Sequence, residues 1–211
     1  MMLVNGKDGG SAMSLILGLT GGIATGKSTV SKFFKENGIP VVDADVGARE
    51  VVKAGTEGLK RIEVVFGNQV IENGHLNRKV LGKIVFENPQ ELEKLNRILG
   101  DLIAEWIHDK KERYIKEKHP LVVLDIPLLF ESGYQEVVDQ VMVVATTPEV
   151  QLNRLMERDQ IDEQTARKKI AAQAPIMDKV LKADFVIDNN GTKENTRKQV
   201  MNWLKKQQFW Q

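Results

Sequence analysis

The sequence predicts an α/β fold, a three-layer structure in which a parallel five-stranded sheet lies between helices, and three observations support this. Short apolar runs of strand length alternate with helical patterns, the arrangement that builds parallel strands with right-handed crossovers and helices on both faces. Between the first such run and the first such helix, Gly21-Gly22-Ile23-Ala24-Thr25-Gly26-Lys27-Ser28 fits the phosphate-binding pattern G-x-x-x-x-G-K-[ST] at every fixed position. Three separate runs end in site-like residues: this loop, the Asp43/Asp45 pair and Asp125. In parallel sheets ligands sit beyond the carboxyl ends of the strands, so the three converge on one rim.

Leu15 to Thr20 reads as the first strand. After the loop, Val30, Phe33 and Phe34 fall on one side of a helix and Lys32, Lys35 and Glu36 on the other, with Gly38 in the usual place after a helix end. Ile39-Pro40-Val41-Val42 leads into Asp43-Ala44-Asp45, read as a second short strand ending in two carboxylates, and a helix is expected from about Val46 to Lys53. Two residues apart on an extended strand, Asp43 and Asp45 would face the same side, with Asp45 nearer the rim. From Leu59 to Lys118 the alternation gives way to helix after helix, broken once at Asn73-Gly74. Asn88-Pro89 opens a helix with proline in its first turn. Its apolar stripe (Leu92, Leu95, Ile98, Leu99, Leu102, Ile103, Trp106, Ile107) reads as packing.

Leu121–Asp125 is the third strand, stopped by Pro127; Val141–Ala145 is the fourth, before a helix opening at Thr147-Pro148-Glu149. Arg154 and Arg158 share one face of that helix, one turn apart. Phe185-Val186-Ile187 is the fifth strand, and Asp188-Asn189-Asn190-Gly191 turns into the last helix.

Composition narrows the function classes. The 211 residues suit one domain or one with a sizeable insertion. With 30 basic and 29 acidic residues the net charge is +1, which argues against a broad nucleic-acid footprint. Cysteine is absent and the three histidines (His75, His108, His119) lack ligand spacing, so neither disulfides nor a thiolate or histidine metal site is expected. No apolar run is long enough to span a membrane, residues 1–12 lack a signal-peptide core, and a cytoplasmic protein starting at Met13, after a disordered or cloning-derived tail, is the expectation.

The loop explains its own spacing. Glycines let backbone N–H groups point inward at phosphate oxygens, and the following helix adds its positive end. Lys27 supplies positive charge for the terminal phosphates and the Ser28 hydroxyl can ligate a magnesium ion. Asp45 reads equally as the group that activates an acceptor hydroxyl or as the cap of the next helix. Asp125 reads as a strand-end acid orienting magnesium through water or as a turn-forming acid before Pro127. Arg154 and Arg158 fit a phosphate clamp on a mobile lid, although helical arginines are usually solvated. Without an Asn-Lys-x-Asp motif a guanine-reading switch is disfavoured.

These residues, in order, strongly resemble the dephospho-coenzyme A kinase family. The resemblance is carried by Thr20–Thr29, Asp43-Ala44-Asp45 with Arg49, Asn77–Phe86, Pro127-Leu128-Leu129-Phe130-Glu131, Gln151–Asp159, Ala172-Gln173 and Ile187–Gly191, and covers essentially all of residues 13–211. It implies ATP-dependent phosphorylation of the ribose 3′-hydroxyl of dephospho-coenzyme A, with magnesium. It implies a nucleoside-kinase-like core (13–58 and 119–211), a helical acceptor-binding insertion (about 59–118) and a lid (about 151–175). By the same resemblance Asp45 is the base, with Lys27, Arg154 and Arg158 catalytic. ATP falls to Gly22, Ile23, Ala24, Thr25, Gly26, Lys27, Ser28, Thr29 and Asn190; the acceptor to Asp45, Arg49 and Arg78; magnesium to Ser28 and, through water, Asp125. The rival readings are a related kinase for a nucleoside, nucleotide or shikimate-like alcohol, and a nucleotide-dependent switch. Two positions depart from the family pattern: Ala24 stands where glycine is usual, a change compatible with N–H donation if its φ is negative, and Gly100-Asp101 replaces a His-Pro pair.

Overall fold

The structure, a computed structural model, describes residues 14–86 and 88–209; the tail at 1–12 and the start at Met13 lie outside the described residues. The main sheet is formed by β1 (Leu15–Gly21), β2 (Val41–Asp43), β5 (Leu121–Asp125), β6 (Gln140–Ala145) and β7 (Phe185–Asp188), in the order β2-β5-β1-β6-β7. Every pairing is parallel. β1 is therefore central, and the chain leaves it first towards one edge and later towards the other, the topology that opens a crevice at the strand ends.

Side chains alternate along each strand and so build two cores. Leu17, Leu19, Leu121, Val123, Met142 and Val144 pack with Val30, Phe33 and Phe34 of α1 (Lys27–Glu36) and Val200, Trp203 and Leu204 of α9 (Lys193–Lys206). Ile16, Val122, Leu124, Val141 and Val143 pack on the other face against Ile107 of α5 (Pro89–Lys116) and Ile176 of α8 (Ile176–Leu181). Three layers follow from period-two patterning alone.

A third core lies apart from the sheet. Val52, Ile62, Phe66, Val70, Leu81 and Leu95 cluster among α3 (Glu57–Phe66), α4 (Arg78–Phe86) and α5. Asn88 caps α5 as its sequence signalled, accepting from the N–H groups of Gln90 and Glu91. The stripe on α5 is divided: Leu95, Ile98 and Leu99 join this third core, while Ile103, Trp106 and Ile107 face the sheet. The break at Asn73-Gly74 proves to be a hairpin, β3 (Ile71–Glu72) and β4 (His75–Leu76), antiparallel around two residues with φ of 50° and 74°. Asn-Gly suits that turn because both positions need positive φ.

A second correction concerns the carboxylate pair. β2 ends at Asp43, and α2 spans Ala44–Glu50, so Asp45 lies in the first turn of a helix rather than on a strand. The Asp43 carboxylate caps α2, accepting from Asp45 N at 3.1 Å and Val46 N at 3.3 Å. Asp43 is thus committed to the backbone and to Lys35 at 3.1 Å, and the Asp45 side chain is left exposed.

Candidate active site

The phosphate loop joins β1 to α1 and lines a cavity of about 480 Å³ together with Asp45, Pro127, Arg154, Arg158 and Gln173. Gly21, Gly22, Ile23, Ala24, Gly26, Lys27 and Ser28 all contribute to its wall. Gly26 has φ +93°, and Nδ2 of Asn189 lies 1.9 Å from where a Cβ would stand. No larger residue fits there. Asn189, 6% exposed, fastens the loop by donating to Thr25 O at 2.7 Å, and its own oxygen accepts from Thr196 Oγ1.

Ala24 has φ +59°, so the negative φ on which its N–H donation depends is not met. Its Cβ is held in the left-handed region, a conformation that costs an alanine about 1–2 kcal/mol. The loop is closed from above by two glutamines. Gln151 Nε2 donates to Ile23 O at 2.9 Å, and Ile23 N donates to Gln173 Oε1 at 2.8 Å. They come from α6 (Pro148–Asp159) and from just after α7 (Glu163–Ala171), so both ends of this two-helix arm are tied to one loop residue.

Lys27 Nζ forms an ion pair with Asp125 at the end of β5. Burial pushes the Asp125 carboxyl above the usual carboxylate range, against the pull of Lys27. Arg154 donates to Asn189 O at 2.8 Å, while Arg158 is held by its neighbour Asp159 at 2.8 Å. Lys169 of α7 shares that carboxylate at 2.8 Å, and Asp159, hydrogen-bonded first by Arg158 and then by Lys169, is lowered to about 2. Behind the arm, buried Lys179 pairs with Glu131 at 2.7 Å, and Glu131 also accepts from Ala174 N next to Gln173.

A second cavity, of about 660 Å³, lies beside α5. Ile103, Ala104 and Ile107 of α5 face Leu124, Ile126, Leu128 and Tyr134 across it, and His108 and Lys111 supply polar wall. Asp45 and Pro127 line both cavities. A carboxylate therefore stands where a phosphate-binding loop and a largely apolar chamber meet.

The structure thus brings together Gly22, Ile23, Ala24, Gly26, Lys27, Ser28, Asp45, Arg154 and Arg158. Thr25 is buried beneath the loop, with Oγ1 on Gly22 O, and Thr29 lies on the adjoining surface beside Lys193 and Arg197. Asn190 accepts from Thr147 N at 2.7 Å and lines neither cavity. Arg49, one turn beyond Asp45, and Arg78, at the start of α4, are exposed and line neither cavity. Ser28 and Asp125 offer hard oxygen donors, and no group of three or more acidic or histidine side chains placed to hold a metal ion exists among the described residues. That set fits magnesium, which takes most of its ligands from phosphates and water.

The family model for dephospho-CoA kinase matches residues 15–195. The chain belongs to that family. The dephospho-CoA kinase of Listeria monocytogenes serotype 4b is 47% identical over 92% of this chain and 98% of its own length, and that of Bacillus thuringiensis subsp. konkukian is 49% identical over the same shares. Among solved structures, the dephospho-CoA kinase from Campylobacter jejuni superposes with a TM-score of 0.72 at 29% identity, covering 92% of this chain and 96% of that one. TT1252 from Thermus thermophilus gives 0.77 at 28% identity, covering 92% and 98%.

Gln151, Gln173, Asn189 and Pro127 were not assigned roles from the sequence. Gln151, Gln173 and Asn189 act through amide hydrogen bonds to a distant backbone, which have no spacing signature; Pro127 is visible in sequence only as a strand stop.

Proposed function

We propose that the chain transfers the γ-phosphoryl group of ATP to the ribose 3′-hydroxyl of dephospho-CoA, yielding CoA and ADP. Membership of the family supports this, and the observation that carries it is the position of Asp45 between the phosphate-loop cavity and the apolar chamber. In this reading the phosphates lie on the loop N–H groups and the acceptor fills the chamber beside α5. Asp45 accepts the proton of the 3′-hydroxyl as its oxygen bonds to phosphorus and the bond to the ADP oxygen breaks. The phosphate oxygens displace Asp125 from the Lys27 ammonium. Arg154 and Arg158 leave Asn189 O and Asp159 to meet charge on the transferring group from the α6–α7 arm, which acts as the lid.

Ser28 and Asp125 would hold magnesium, which when bound neutralises charge on the phosphates. The insertion from about 59 to 118 supplies the acceptor wall, with Arg49 and Arg78 as further acceptor contacts and Thr29 and Asn190 on the nucleotide side. No helix among the described residues is long and apolar enough to cross a membrane. A cytoplasmic location suits a cysteine-free enzyme whose substrates are water-soluble.

Asp45→Asn tests the assignment. The substitution keeps the side-chain shape, and the cap of α2 is made by Asp43, so stability should hold. We expect kcat with dephospho-CoA to fall by roughly 10²–10⁴-fold, with ATP affinity and Tm near the parent. A parental kcat would remove Asp45 as the base.

A further inference from the structure

Lys179 of α8 is 1% exposed and takes no part in the chemistry above. A buried ammonium loses its hydration and needs a compensating charge. Among the described residues Lys179 has one ion-pair partner, Glu131, whose Oε1 lies 2.7 Å from Nζ. None of the described residues meets its N–H bonds in good hydrogen-bonding geometry, so the pair is a charge contact rather than a satisfied network. A pair of that kind adds little stability, because two apolar side chains in its place often serve as well or better. Its surroundings point to the phosphate loop instead. The same Glu131 oxygen accepts from Ala174 N at 3.3 Å, and the preceding residue, Gln173, accepts from Ile23 N of the loop at 2.8 Å. Glu131 also closes the segment from Pro127, which lines both cavities and whose carbonyl accepts from Thr20 Oγ1 at 3.0 Å.

We propose that Lys179 and Glu131 are positioning residues for the phosphate loop: the buried ammonium fixes the Glu131 carboxylate, which pins Ala174 N and thereby sets the Gln173 amide against Ile23. The relay rests on the loop receiving the phosphates of ATP, and on no choice of acceptor. The Glu131 side chain is 26% exposed, so without Lys179 its carboxylate can turn to water and release Ala174. The other half of the clamp, Gln151 on Ile23 O, comes from α6 and stays in place. Removal of the pair should therefore loosen the Ile23 N–H without unfolding the loop. Stability and phosphate binding then separate, which ordinary packing of the pair would not produce.

The variants to compare are Lys179→Met, Glu131→Leu with Lys179→Met, Glu131→Gln with Lys179→Met, and Gln173→Ala. The Leu/Met pair leaves no unpaired charge, so its Tm should stay near the parent even if Lys179→Met alone folds poorly. Exchange of the Ile23 amide, followed by NMR in the nucleotide-free protein, should quicken by about fivefold or more in the Leu/Met pair and in Gln173→Ala alike, since each removes one net hydrogen bond. Calorimetric Kd for ATP should weaken in both. The Gln/Met pair keeps a neutral acceptor for Ala174 N and should recover part of both readouts. Gln173→Ala added to the Leu/Met pair should change little more, because both cut one relay. Parental Ile23 exchange and ATP Kd in the Leu/Met pair, or full additivity with Gln173→Ala, overturns this inference alone. A parent that binds no ATP overturns the loop's role and this inference with it, whereas one that binds ATP but leaves dephospho-CoA unphosphorylated overturns only the functional reading.

Discussion

Gly47→Ala separates positioning of Asp45 from stability of the fold. Gly47 is buried on α2, half a turn beyond Asp45, and Trp106 of α5 lies flush against it. An added methyl would stand 2.7 Å from Cε3 and 3.1 Å from Cζ3 of that ring. Restoring ordinary contact requires α2 and α5 to part by about 0.7 Å, since 3.4 Å is the near edge of normal packing. Overpacking of this kind costs about 1–3 kcal/mol, and alanine recovers about 1 kcal/mol of helix propensity. The net loss of stability should therefore be at most about 2 kcal/mol. Catalysis is less forgiving, because a displacement near 1 Å can cost about 10²-fold. We expect kcat to fall by roughly 10–100-fold while Tm drops only a few degrees, read by coupled ADP release and differential scanning calorimetry. Trp106→Leu in the same chain should restore part of kcat, giving a non-additive double-mutant cycle. A Gly47→Ala protein with parental kcat and a lowered Tm would refute the claim that this contact sets Asp45 for catalysis.

Two further outcomes follow from local geometry. Ala24→Gly should raise stability or leave it unchanged, because relief of the φ +59° alanine, about 1 kcal/mol, offsets the entropy cost of glycine; a clear fall in Tm would show that residue 24 is not held in the left-handed region. Asp159, lowered to about 2 from an ordinary 3.8, contributes stability that is present above pH 3.8 and lost as the pH falls towards 2. Asp159→Asn should flatten the Tm-versus-pH curve between those limits, modestly and less at high salt because the group is solvent-screened, and an unchanged slope would count against the Arg158–Asp159–Lys169 cluster.

Those parts of the fold that rest on periodicity were legible in the sequence. Leu121-Val122-Val123-Leu124 had to be a doubly buried strand, and Asn88-Pro89 had to open a helix. The phosphate loop was legible because its glycines and lysine answer a local backbone demand. Asp43-Ala44-Asp45 was misread, because two acids near a strand end are both plausible caps and sequence does not say which carboxylate turns back on the N–H groups. The Asn73-Gly74 hairpin had its signal in the dipeptide, obscured by the short strands around it. Ala24 ran against intrinsic preference, as strained loop residues at ligand sites do. The Gln151–Ile23–Gln173 clamp was invisible: it joins residues more than a hundred positions apart by neutral hydrogen bonds.

The proposed acceptor is the 3′-hydroxyl of dephospho-CoA. The most direct measurement is mass spectrometry of the product from dephospho-CoA, ATP and magnesium, with shikimate and nucleosides offered in parallel. One new phosphate on dephospho-CoA, one ADP released for each, a product matching authentic CoA, and little transfer to the other alcohols are expected. ADP release without a phosphorylated acceptor, or preferential phosphorylation of shikimate or a nucleoside, would contradict that assignment.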